Sequence, residues 1–283
     1  MRVDEVMIDH PATKSGVRVA AWLPPVIFAV ITVALFRAFV FTDEMLYGGD
    51  TLSLGYAARS LYAEALSTLG RVPGWAPHLL GGTPFIEALS GGDSLYPPSV
   101  LLLMLAPPHR ALGWKLVLHI FLAGIFFYSW VRAVGGSRAA GLLGGVAYML
   151  APFLVGFIHP GHDGKIFVTA LAPLMFWMTE RHFRDPGWVS FSGVGLVVAS
   201  VIYTTHFQMA YFLFGGVGMY AIFRSIQLGR GVDEAGFGSR PRAGALRLIL
   251  FLAASVTGAA GAAWQLLPAA EYVTEYSRRT QMT

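Results

Sequence analysis

The sequence predicts an all-α polytopic membrane protein: a transmembrane helical bundle with a long extracytoplasmic first loop carrying interfacial helices. Three observations predict it. Of the 283 residues, 55% are hydrophobic and 13% are charged, about half the charge of an ordinary soluble domain. Apolar stretches near the ~20 residues that cross a bilayer recur along the chain. Between them, basic residues gather in alternate joints, as the cytoplasmic excess of Lys and Arg requires.

The first stretch runs from Ala20 to Phe41, with Pro24 and Pro25 near its start and Arg37 near its far end, where the long side chain can snorkel outward. Residues 1–19 read as a cytoplasmic tail. No small-residue cleavage site follows the stretch, so it reads as a retained anchor and not a signal peptide. From 42 to about 110, Gly, Pro, Tyr, Trp and scattered charges mark the first outer loop. Within it, Leu54, Ala57, Ala58, Leu61, Tyr62, Ala65 and Leu66 recur at helical spacing while Arg59, Ser60 and Glu64 take other faces, which predicts an amphipathic interfacial helix. Val100 to Ala106, framed by prolines, is too short to span and reads as interfacial or re-entrant.

Further spans are predicted at Ala111 to Val134, Ala139 to Ile158, Ile166 to Thr179, Trp188 to Thr204, Phe207 to Phe223 and Leu246 to Leu267. They complete a transmembrane domain of about seven spans over 20–268, and 269–283 is an extracytoplasmic segment. Gly229 to Gly244 reads as a flexible linker. With the N-terminus cytoplasmic, Arg132, Arg138, Arg181, Arg184, Arg224, Arg230, Arg240 and Arg242 all fall on the cytoplasmic side.

Composition also excludes classes of chemistry. The chain has no Cys, which removes disulfides, thiolate catalysis and Cys-ligated zinc. The net charge of +4 is dominated by Arg, and no aromatic-plus-basic motif points to nucleic acid.

The predicted topology sorts the polar residues by side. Asp43, Glu44, Asp50, Glu87 and Asp93 fall in the first outer loop, His159, His162, Asp163 and Lys165 in the second, His206 and Gln208 in the third, and Gln265 and Glu271 at the end of the last span. A shared outer chamber accounts for this gathering. Asp50, in Gly48-Gly49-Asp50, is the candidate general base, and capping the following helix is its alternative role. Asp93, the second catalytic candidate, also suits a turn. Lys165 and His162 are candidates for binding phosphate, against a snorkelling Lys165 and a compact His159-to-Asp163 metal site of no standard spacing. His206, Gln208, Gln265 and Glu271 are candidate substrate contacts, against roles in a tight turn or a solvated helix end.

These clusters, in this order, resemble the YfhO-like family of bacterial polytopic membrane proteins, within the GT-C superfamily of membrane glycosyltransferases. Four patterns carry the resemblance. The first joins Gly49-Asp50, Val72-Pro73-Gly74-Trp75-Ala76-Pro77, Gly81-Gly82-Thr83-Pro84-Phe85 and Tyr96-Pro97-Pro98. The others are Gly161-His162-Asp163-Gly164-Lys165, His206-Phe207-Gln208-Met209-Ala210-Tyr211, and Gln265-Leu266-Leu267-Pro268 with Glu271 and Ser277. Phe207 stands where the family has Pro, and family members are longer, so the resemblance implies a fragment holding the N-terminal catalytic half. It further implies a GT-C-like fold in the bacterial cytoplasmic membrane. The implied reaction moves a sugar from a polyprenyl-phosphate carrier to an extracytoplasmic glycan or lipid acceptor, with inversion. The isoprenoid tail would lie against Gly141, Gly144 and Gly145. A divalent cation (Mg or Mn) shared by Asp50 and Asp93 is compatible with this chemistry and not required by it. The competing classes are a lipid-linked sugar transporter or flippase and a non-catalytic assembly subunit.

Overall fold

A computed structural model describes residues 20–46, 48–231 and 241–276. The tail at 1–19, Tyr47, the central part of the linker, Arg240, and Ser277 with its following arginines lie outside the described residues. The described chain is an all-α bundle, with two very short strands in the first loop.

Proline and glycine set most of the helix boundaries. α1 (Leu23–Leu35) opens with prolines in its first turn and stops at Phe36, and α2 (Arg37–Val40) adds one turn. The stretch from Ala20 to Phe41 is therefore a broken helix, shorter than a single continuous span. A π-helical turn (Thr51–Gly55) leads into α3 (Tyr56–Leu69), which ends at Gly70 in the left-handed conformation. Arg59 corrects the amphipathic reading: it lies on the buried face of α3. β1 (Trp75–Ala76) pairs antiparallel with β2 (Thr83–Pro84). α4 (Pro97–Leu105) and α5 (Pro108–Ala133) both begin at proline, where the missing N–H is not needed. Ala58, Tyr62, Ala76, Leu79, Phe85, Leu103 and Ala111 form a small apolar core. Thus the first loop is a folded cap on the bundle.

α6 (Arg138–Met149) is capped by the Ser137 hydroxyl, which accepts from the Ala140 N–H at 3.1 Å. A residue before proline is disfavoured in helix, and the chain breaks at Ala151, so α7 (Pro152–Ile158) follows as a separate segment. α8 (Asp163–Arg184), α9 (Trp188–Tyr203) and α10 (Phe207–Gly229) extend or match the predicted spans. The last predicted span divides into α11 (Pro241–Gly261) and α12 (Ala263–Tyr276).

Among the described residues, four helical segments are long and apolar enough to cross a membrane: Pro108–Ala133, Arg138–Ile158, Phe207–Gly229 and Pro241–Gly261. Leu23–Leu35 and Trp188–Tyr203 are apolar but shorter. α5 is central and packs along α8 and α6, while α11 packs on α9 and α10. Gly141, Gly144 and Gly145 do not form a lipid-facing groove. A Cβ at Gly141 would lie 2.8 Å from Tyr128, at Gly144 2.6 Å from Phe127, and at Gly145 2.5 Å from Phe28, so the stripe is already filled by aromatic side chains.

At one end of the bundle Glu180 is buried against Arg224, with Nε to Oε2 at 2.9 Å, and accepts from the Tyr220 hydroxyl at 2.6 Å. Arg184, Arg132 and Arg247 lie at the same helix ends, and Arg184 donates to the Ala133 carbonyl. The acidic first loop lies at the opposite end.

α9 and α11 meet backbone to backbone. A Cβ on Gly258 would overlap the Gly195 carbonyl, whereas one on Gly215 would meet nothing within 4 Å. Gly258→Ala is expected to destabilise the bundle by about 1–3 kcal/mol. Melting of the purified protein should show a lowered transition for Gly258→Ala and none for Gly215→Ala.

Candidate functional site

The site begins with a seam between two loops. The Gly49 N–H donates to the His159 carbonyl at 3.1 Å, and the Asp50 N–H donates to the Pro160 carbonyl at 2.9 Å. Such an approach needs backbone without side chains. A Cβ at Gly48 would lie 2.8 Å from the Ile158 carbonyl oxygen, and a Cβ at Gly161, whose φ is +83°, would lie 2.5 Å from the Thr51 nitrogen.

The seam brings Asp50 to His162. Asp50 Oδ2 is 3.5 Å from His162 Nε2, and both side chains reach solvent. His162 Nδ1 lies 3.0 Å from Lys165 Nζ, so the imidazole stands between a carboxylate and an ammonium. The Asp50 side chain does not cap the helix it precedes; no such hydrogen bond forms. His206 caps α10 instead, its Nδ1 accepting from the Met209 N–H at 3.3 Å. Burial holds the His206 imidazole below its ordinary pKa, and with Nδ1 accepting, the neutral ring keeps its proton on Nε2. A Cβ on Gly164 would lie 3.0 Å from that of His206, which shows how closely the second and third loops approach.

Beneath this surface lies a buried chain of alternating charges. Asp93 accepts from Arg59, from the Ser99 hydroxyl and from Lys115 Nζ, which is 3.1 Å and 3.2 Å from its two oxygens. Lys115 also pairs with Asp163 Oδ2 at 3.0 Å, and the Thr51 hydroxyl reaches Asp163 Oδ1 at 3.5 Å. Burial would raise the Asp93 carboxyl, but Arg59 and Lys115, helped by the Ser99 hydroxyl, hold it well below the usual carboxylate range. Next to Lys115, His119 Nδ1 donates to the Lys115 carbonyl at 2.6 Å, so its Nε2 accepts from the Tyr96 hydroxyl at 2.8 Å.

A cavity of about 410 Å³ opens among these groups. Asp50, Asp93, His162 and His206 line it, as do Arg59, Lys115 and Asp163. Lys165 joins through His162. Gln208 is exposed on the first turn of α10 and lies outside the cavity lining. Gln265 is also outside it: the side chain is buried, its Nε2 donates to the Ile86 carbonyl at 3.4 Å, and so it braces the first loop from α12. Glu271 is exposed on α12 and does not line the cavity either.

The geometry separates the two catalytic candidates. Asp50 has an accessible carboxylate. Asp93 has both oxygens engaged by cations and a hydroxyl, which suits an anchor for the loop and not a proton acceptor. The same donors do not fit a divalent ion shared by Asp50 and Asp93, because Arg59 and Lys115 already compensate Asp93 and would repel a further cation. Among the described residues, no group of three His, Asp or Glu side chains is arranged to hold a metal.

Arg59 and Lys115 were not apparent in the sequence. Helical spacing puts Arg59 off the apolar face of its amphipathic helix and assigns no role to Lys115, and their common partner Asp93 lies 34 and 22 positions away.

Fold and site together define an all-α bundle with membrane-length apolar helices and a polar cavity at one end. No family model, curated protein or solved structure matches the chain.

Removing a partner from a buried ion pair costs about 3–5 kcal/mol. Lys115→Met is therefore expected to lower stability by that order. Adding Asp163→Asn should recover part of the loss, and thermal unfolding of the single and double variants measures this coupling.

Proposed function

We propose that this chain is a GT-C-type membrane glycosyltransferase of the YfhO-like family. It transfers a sugar from a polyprenyl-phosphate carrier to an extracytoplasmic glycan or lipid acceptor. The reading places the protein in the bacterial cytoplasmic membrane, N-terminus inside, with the cavity on the outer face. The observation that carries it is the contact of Asp50 with His162 at the cavity, with Lys165 behind the imidazole.

The acceptor hydroxyl attacks the anomeric carbon opposite the phosphate. As the new carbon–oxygen bond forms, the bond to phosphate oxygen breaks, its electron pair leaves with the lipid phosphate, and the configuration inverts. Asp50 takes the hydroxyl proton. Its 3.5 Å approach to His162 is long for a hydrogen bond, and such contacts commonly tighten once substrate binds. His162 and Lys165 supply donor and cationic contacts to the negative charge that builds on the departing phosphate. The folded first loop walls the cavity on one side, and Asp50 and His162 stand at its solvent-facing mouth.

The sorting of charges favours this reading over a transporter. A transport pathway places ionisable groups near mid-membrane. Here the buried Glu180–Arg224 pair sits near the ends of α8 and α10, and the charges lining the cavity belong to the other end. His119, near the middle of α5, has its ring nitrogens engaged by the Lys115 carbonyl and the Tyr96 hydroxyl and does not line the cavity.

In membranes supplied with labelled polyprenyl-phosphate sugar, Asp50→Asn should lower transfer by about a hundredfold to ten-thousandfold, with unfolding unchanged. Full activity in that variant would remove Asp50 as the base.

A further inference from the structure

The buried charges at the cavity floor form one chain, Arg59, Asp93, Lys115 and Asp163, whose formal charges cancel. Its members are held unequally. Asp93 is enclosed by Arg59, Ser99 and Lys115, and its side chain is 5% exposed. Asp163 has Lys115 at 3.0 Å and only a 3.5 Å contact with Thr51, at the outer limit of a hydrogen bond, and its side chain is 14% exposed where it lines the cavity. Asp163 is the one carboxylate that can leave Lys115 without breaking the rest of the chain. A phosphate oxygen offers a lysine ammonium the same charge-assisted hydrogen bond that a carboxylate does.

We propose that Asp163 is an internal counter-ion, occupying the place on Lys115 that a phosphate of the substrate takes when it enters the cavity. The proposal rests on the reading of the cavity as a site for a phosphate-bearing donor, and it assigns to Lys115 and Asp163 roles that reading does not use. In the empty cavity Asp163 gives Lys115 a second carboxylate, because Asp93 is shared with Arg59 and cannot by itself balance two buried cations. When a phosphate monoanion arrives, an ionised Asp163 would leave one negative charge in excess beside Asp50. Taking up a proton at Asp163 restores the balance and breaks no covalent bond. Asp163 lies ahead of the apolar stretch of α8, and burial raises its carboxyl pKa from the ordinary value, with Lys115 opposing, a direction that favours proton uptake. The charged and titratable groups around it are Lys115 on α5, Asp93 and Arg59 from the loop cap, Asp50 on the seam, His162 and Lys165 on its own turn, and His206 at the start of α10.

The test uses the full chain in lipid nanodiscs and two probes, inorganic phosphate and geranyl phosphate, titrated calorimetrically at mildly acidic and mildly basic pH. Asp163→Asn removes the competing charge and should bind phosphate about tenfold tighter than wild type. Wild type should take up more protons per phosphate bound than the variant, and this difference removes the contributions of the histidines and of phosphate itself. Asp163→Ser serves as a second neutral replacement, with melting as the check on folding. Equal or weaker phosphate binding by folded Asp163 variants would overturn the counter-ion role while leaving a phosphate site in wild type. Absence of binding to either probe in all proteins would overturn both the counter-ion and the phosphate reading. A gain seen with geranyl phosphate supports a lipid-linked ligand, and a gain confined to inorganic phosphate overturns that source while supporting the counter-ion.

Discussion

Two loops separated by more than a hundred residues meet backbone to backbone, and the site follows from that contact. Gly48-Gly49-Asp50 runs along His159-Pro160-Gly161, and two backbone hydrogen bonds join them. Buried peptide groups must find partners. Here each loop supplies partners for the other, and glycine at 48 and 161 removes the atoms that would collide. The seam also determines orientation. It leaves the Asp50 carboxylate at the cavity with His162 beside it, although neither residue is near the other in sequence.

The buried charges do for the cap what the seam does for the loops. A cap with a small apolar core of its own needs a specific attachment to the bundle. Asp93, which carries Arg59 from α3 on one side and Lys115 from α5 on the other, is that attachment. Lys115 then passes the link to Asp163 at the start of α8. Ion pairs removed from water contribute little net stability compared with apolar packing, but they penalise any arrangement in which a partner is missing. The network thus selects one register of cap on bundle. That register leaves a cavity walled by the first loop, by the turn ahead of α8 and by the start of α10.

The sequence makes parts of this legible and hides others for identifiable reasons. Apolar stretches and prolines mark α5, α9 and the start of α4, because length and a missing N–H act locally. The expected single span from Ala139 to Ile158 passes over Pro152, where α7 begins. The break of the first span at Phe36 and the division of the last at Ala262 carry no such local mark. Asp50, His162, Lys165 and His206 are accessible to sequence reasoning because polar turns, glycine-rich around 48–49 and 161–164 and threonine-rich at 204–205, interrupt apolar runs at those points. Arg59 and Lys115 were hidden, since what distinguishes a solvated cation from a buried one is a partner distant along the chain. Gln208 and Glu271 share the motifs of the turns without sharing their cavity, and Gln265 reaches the first loop as a brace.

Function, on this account, depends on keeping the two loops in contact while a ligand enters between cap and bundle. The contact can be probed directly, because the chain contains no cysteine. Gly49→Cys combined with Pro160→Cys places two thiols on the seam, where a Cβ at 49 would lie 3.6 Å from the Pro160 carbonyl oxygen. A short bifunctional methanethiosulfonate, which does not demand the strict geometry of a direct disulfide, should join the two thiols of this double variant in native membranes, seen as a shift in mobility that reductant reverses. Failure to cross-link in a folded, membrane-inserted variant would contradict the joined loops and the cavity built on them.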